Sequence, residues 1–150
     1  MWFMNKILNP LIGLILRSPL HRMLSAGLLL ITYRGKKSGQ EYTLPVQYLQ
    51  SGNQIYIIPG MPEKKTWWRN LKGGLPVKLT LRGQAVNGYG LVLEQPRDAV
   101  EIGSVTELAL KRSAQLAKML QVRLEADGSP NAADLQQLVE KIILTRIDLA

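Results

Sequence analysis

Residues 77–93 read VKLTLRGQAVNGYGLVL. Val77, Leu79 and Leu81 alternate with Lys78, Thr80 and Arg82, the period-two pattern of a strand with one buried face. Gly83-Gln84 turns the chain into a second strand over Ala85–Leu93, where Gly88 and Gly90 point to a bulge. Two strands joined by so short a turn pair antiparallel.

The same grammar extends outward. Tyr42–Leu49 reads as a strand, and Pro45, which lacks an N–H, places part of it at an edge or bulge. Ser51-Gly52-Asn53 turns it into Gln54–Ile58, which predicts a hairpin. Leu28–Thr32 is a short apolar run suited to a buried strand, and Ile143, Thr145, Ile147 and Leu149 alternate near the C-terminus. Helices are expected between and after these strands. A short one covers Lys65–Leu71, stopped by Gly73-Gly74 with Pro76 beyond. Pro96 can open another helical piece. Ser104-Val105-Thr106-Glu107 reads as a capping box for a helix running to about Leu120. A further helix carries Leu135, Leu138, Val139 and Ile142 on one face. The fold class is therefore α+β: a small antiparallel barrel of about six strands, closed to remove its edges, with flanking helices.

The chain of 150 residues has no internal repeat or linker, so residues 1–150 read as one domain with an N-terminal helical segment at about 1–25. That segment is apolar over Met1–Leu16 but broken by Asn9, Pro10 and Gly13. It is too short to span a bilayer and fits an amphipathic helix that caps the barrel, with peripheral membrane contact left open. Cysteine is absent, which excludes a thiol nucleophile and Cys-ligated zinc and fits a cytoplasmic, reducing setting. The single histidine, His21, leaves no basis for a multi-histidine metal site or a Ser-His pair within one chain, so no metal is expected. The net charge of +8 favours an anionic partner. Aromatic residues are sparse and no nucleic-acid-binding motif stands out, so a phosphorylated small molecule is preferred to nucleic acid.

Two stretches are candidates for chemistry. In Arg34-Gly35-Lys36-Lys37-Ser38-Gly39 a glycine-bounded turn can aim backbone amides at one anion, with Lys36, Lys37 and Ser38 adding charge and a hydroxyl. A solvated basic hairpin turn is the competing reading. In Thr66-Trp67-Trp68-Arg69-Asn70-Leu71 the adjacent tryptophans point about 100° apart on a helix, so one fills the core while the other can wall a pocket. Trp67 and Asn70, three residues apart, lie side by side and could hold an aromatic, hydrogen-bonding ligand. Two core tryptophans are the alternative.

The order GKKSG, YTLPVQYL, KTWWRNLKGGLPVKLTLRG and VRLEADGSPNAADL resembles the deazaflavin-dependent nitroreductase/quinone reductase family, split β-barrels related to flavin-mononucleotide-binding oxidoreductases. The resemblance implies coenzyme F420, an 8-hydroxy-5-deazaflavin with a phosphate and an acidic tail, and hydride transfer to an electron-poor acceptor such as a quinone or nitroaromatic. It implies that Lys36, Lys37, Ser38 and Gly39 grip the phosphate and tail. Pro45, Val46, Pro59, Gly60, Trp67 and Asn70 would lie against the deazaflavin, with Gln47 and Tyr48 on the acceptor side. Three positions depart from the family pattern: Tyr42 where an arginine is frequent, Gln47 where one branch carries a tyrosine, and Gly60 where the cofactor loop carries a serine. FMN in the same fold, and a non-catalytic cofactor carrier or membrane-peripheral module, are the alternatives; a homodimer is also left open.

Overall fold

The computed structural model describes residues 27–150. The expected N-terminal helix, its membrane contact and His21 lie outside these residues. The described residues form two compact units, one containing residues 27–92 together with Thr145–Ala150, the other Leu93–Leu144.

The first unit holds seven strands: β1 (Leu28–Arg34), β2 (Glu41–Gln47), β3 (Leu49–Ser51), β4 (Gln54–Ile57), β5 (Leu75–Leu81), β6 (Gln84–Val92) and β7 (Thr145–Leu149). They form one antiparallel sheet in the order β2-β1-β5-β6-β7-β4-β3. β2 and β3 stand at opposite ends of that order, yet only Tyr48 separates them in the chain. The two sheet edges are thus brought to one place, and the sheet curls into the split, half-barrel form of an α+β fold. The single strand expected over Tyr42–Leu49 is therefore two, which raises the count from six to seven. Only its last part enters the expected hairpin, as β3 with β4 across Gly52-Asn53.

Residues opposite one another in the ladders share a face, and one face forms the interior. Leu29, Ile31, Ile55, Ile57, Val77, Leu79, Leu81 and Ile147 alternate onto it, all buried. Gly88 and Gly90 fall on this face too. Pairing runs without interruption through both, so they do not mark a bulge. Their reason is steric: a Cβ at Gly88 would come 2.7 Å from Ile147 Cγ2, and one at Gly90 would come 3.2 Å from Leu71 Cδ2. The glycines leave room for two fully buried side chains. The β1–β5 ladder stops at Thr32↔Lys78, two residues short of Pro76, whose ring nitrogen has no hydrogen to donate.

A short 3-10 helix, Trp67–Leu71, precedes β5 and buries Trp68 and Leu71. The second unit packs α1 (Ala99–Arg112), α2 (Ala114–Met119) and α3 (Ala132–Lys141) around Leu110, Ala117, Val122 and Leu138. Its two ends are tied by the Leu93 amide donating to the Leu144 carbonyl at 2.9 Å. The capping-box reading is corrected here. Ser104–Glu107 lies inside α1, and Thr106 is wholly buried. Ile102, Val105 and Ala109 carry the buried stripe, so the helix begins earlier, at Ala99. The continuous helix expected to Leu120 breaks at Ser113, whose extended backbone ends α1 and whose Oγ caps α2 by accepting from the Leu116 amide at 3.1 Å.

Candidate functional site

β1 and β2 form a hairpin around the basic turn, with Arg34↔Glu41 and Tyr33↔Tyr42 as its last pairs. Within the turn the Gly35 amide donates to the Gln40 carbonyl at 2.8 Å and the Gly39 amide donates to the Gly35 carbonyl at 2.9 Å. Arg34 Nη1 donates to the Gly39 carbonyl at 2.7 Å. Gly39 sits at φ +70°, a left-handed backbone that glycine adopts without steric cost. Gly35 is needed for another reason: a Cβ there would come 2.9 Å from both Ser38 Oγ and the Tyr42 ring.

The turn is docked on the 3-10 helix. The Lys36 amide donates to Asn70 Oδ1 at 3.0 Å, and the Lys36 ammonium donates to the Lys72 carbonyl. Asn70 Nδ2 donates to the Trp67 carbonyl at 2.9 Å, so the carboxamide braces the turn and the helix together. Among the described residues the amides of Lys37 and Ser38 have no acceptor, and both residues are exposed. Two unpaired N–H groups, the Lys37 ammonium and the Ser38 hydroxyl therefore crowd one turn, the donor set that suits a phosphate.

Beside the turn lies an aromatic group. Tyr33 stacks on Tyr42 with ring centroids 5.6 Å apart and meets Trp67 at 6.3 Å. Tyr33 is buried, and burial pushes its phenol up to about 12, with Tyr42 acting in the same direction. Trp67 is half-buried, while Trp68 is 5% exposed and donates from Nε1 to the Pro62 carbonyl at 3.2 Å. The Arg69 guanidinium and Lys72 ammonium stand 5.5 and 5.3 Å from the centre of the Trp68 ring. These two cations are therefore engaged with Trp68, and only the backbone carbonyl of Lys72 reaches the turn, as acceptor for Lys36.

The structure brings Lys36, Lys37, Ser38, Gly39, Trp67 and Asn70 into one neighbourhood. Pro45, Val46 and Gln47 stand further along β2, with Pro45 about 10 Å from Tyr42 by strand rise. The pleat sends Pro45 and Val46 to opposite faces; Val46 shares its face with Tyr42 and, across the ladder, with Tyr33. Gln47 is exposed, and Tyr48 occupies the break between β2 and β3. Pro59 is buried and Gly60 exposed in the loop leading from β4 to the 3-10 helix. Neither strand period nor motif spacing marks Tyr33 and Tyr42 as a pair. Folding the chain about the Gly35–Gly39 turn places them opposite each other, and that symmetry was the available signal.

The structure is similar to an F420-H2-dependent reductase, FDR-A, at TM-score 0.55 and 16% identity, covering 81% of this chain and 94% of that one. It is equally similar to a protein described as a domain-swapped dimer, at TM-score 0.55 and 15% identity, covering 90% and 98%. Both likenesses concern the fold. No curated protein matches the sequence. Residues 18–106, which contain the basic turn, the tryptophan helix and the first six strands, match the F420H(2)-dependent quinone reductase family. With the split barrel in place around that matched segment, the chain belongs to the F420H(2)-dependent quinone reductases and is an oxidoreductase whose cofactor is F420.

Proposed function

We propose that the protein reduces quinone-type acceptors with reduced F420, and that the turn at Gly35–Gly39 is where the cofactor's phosphate and acidic tail are held. The observation that supports this most is the pair of unpaired amides at Lys37 and Ser38, on a turn that Asn70 ties to the helix carrying Trp67. These residues fit a polyanionic, aromatic cofactor: cations and amides for the phosphate, a half-buried indole for the ring system. When bound, the reduced deazaflavin supplies a hydride.

The chain's own contribution is to bind, orient and shield. Lys36, Lys37, Ser38 and Gly39 would fix the anionic end, with Asn70 holding the turn in place. Trp67 and the Val46 side of β2 would border the ring, together with Pro45 and the Pro59-Gly60 loop. Gln47 and Tyr48 would face the acceptor. Gln47 offers a carboxamide where a hydroxyl would serve as proton donor, which favours an acceptor whose reduced oxygens take protons from water. Quinones meet that condition, so quinone turnover is expected to exceed nitroaromatic turnover.

The test is titration of the purified protein with F420 and with FMN, followed by steady-state assays of reduced F420 with matched quinones and nitroaromatics. Tight F420 binding and faster quinone reduction are expected. Preference for FMN would move the assignment to a flavin enzyme of the same fold, and turnover no faster than without protein would make this a cofactor carrier. A cytoplasmic location and a homodimer belong to the same proposal, the latter tested by sedimentation; among the described residues no helix is long and apolar enough to cross a membrane.

A further inference from the structure

We propose that Tyr42 is a positioning residue that turns the Ser38 hydroxyl toward the bound anion, an inference that rests on the cofactor reading above. Ser38 Oγ carries one proton and two lone pairs. One lone pair accepts the Gln40 amide at 3.2 Å. The Tyr42 hydroxyl lies 3.0 Å away, and either oxygen of that pair could be the donor. If Ser38 gives its proton to Tyr42, one lone pair is left and no proton for an anion to accept. If Tyr42 donates, both lone pairs of Ser38 are filled and its proton is left for a third partner.

Two features favour the second arrangement once an anion is present. The phenol is the more acidic hydroxyl and the better donor. An anion beside the unpaired Lys37 and Ser38 amides can only accept, so it draws the Ser38 proton outward and Tyr42 must donate. The tyrosine is held for this task. Its ring is stacked on buried Tyr33 and lies close over Gly35, where a Cβ would come 2.9 Å from it. The hydroxyl therefore cannot swing off Ser38 without breaking the stack. Tyr42 thus recognises the anion through Ser38 and adds no charge of its own.

The test uses Tyr42→Phe, Ser38→Ala and the double variant in the full chain. Dissociation constants are measured for F420 and for the same 8-hydroxy-5-deazaflavin lacking phosphate and tail. Tyr42→Phe keeps the ring stack and is expected to melt with the native protein. It should weaken F420 binding about 3- to 10-fold, the scale of one hydrogen bond, and leave the phosphate-free ligand unchanged. The double variant should bind F420 no worse than Ser38→Ala alone. Native F420 affinity in Tyr42→Phe, equal weakening of both ligands, or additive losses in the double variant would each overturn the role of Tyr42 while leaving the cofactor reading intact. Failure of the native protein to bind F420 at all would overturn both.

Discussion

Lys36 and Lys37 are adjacent, but the fold uses them differently. The ammonium of Lys36 is bonded to the Lys72 carbonyl, whereas Lys37 is exposed with an unpaired amide. Lys37→Glu should therefore weaken F420 binding about tenfold through charge reversal at an anion site, with little change in stability. Lys36→Glu should weaken binding and also lower the melting temperature, because a carboxylate would face a carbonyl. Calorimetric titration beside thermal melts separates the two effects. Tyr33 gives a second residue-scale test. Its phenol is raised to about 12 by burial, against 10.0 in an unperturbed chain. Below about pH 10 both folded and unfolded chains keep this proton, and its contribution is constant. Between about pH 10 and 12 the unfolded chain loses the proton while the folded chain keeps it, so stability falls as pH rises, by no more than about 3 kcal/mol. Melts of the native protein and Tyr33→Phe across this window should show a shallower alkaline decline in the variant.

Single elements answer to local rules that the fold overrides only where packing demands it. Ser104 stands at an expected helix start and Ser113 inside the expected helix. Only Ser113 caps, through Oγ to the Leu116 amide. Ser113→Ala should cost about 1 kcal/mol and Ser104→Ala, at an exposed mid-helix site, less than about 0.5 kcal/mol in denaturant unfolding. Two glycines make the same contrast in packing. Gly103 lies within α1 with nothing within 4 Å of an added Cβ, so Gly103→Ala should stabilise by about 0.5–1 kcal/mol. Gly88→Ala would drive a methyl against Ile147 Cγ2 at 2.7 Å and the Asp148 carbonyl oxygen at 3.1 Å, and should destabilise by about 1–3 kcal/mol.

Across the whole chain the excess positive charge of +8 gives the protein a field that attracts an anionic cofactor. Raising ionic strength from roughly 0.1 to 1 M shortens the screening length from about 10 to about 3 Å. F420 association should therefore slow with salt, while association of the phosphate-free deazaflavin should barely change. Stopped-flow measurement of the two rates checks this. Identical salt dependence for both ligands would show that the basic turn does not steer the phosphate.

The sequence by itself determined what depends on near neighbours. Alternation in Val77–Leu81 set which side chains face inward, Gly83 marked the β5–β6 hairpin turn, whose loop is Arg82-Gly83 where Gly83-Gln84 was expected, and the GKKSG turn displayed its charge and glycines openly. That only one of the adjacent tryptophans faces the core followed from the angle between helical positions, and packing makes it Trp68. Tertiary structure decided what depends on partners distant in the chain. The strand over residues 41–51 divides at Tyr48 because its two halves pair with different strands, β1 and β4, at opposite ends of one sheet. Gly88 and Gly90 are glycines because Ile147 and Leu71, remote in sequence, fill the space a side chain would take. Asn70 braces the turn because folding brings Lys36, 34 residues earlier, onto its carboxamide. Hydrophobic period and turn chemistry are written locally, whereas the choice of hydrogen-bond partner and the filling of volume are settled only when the sheet assembles and curls.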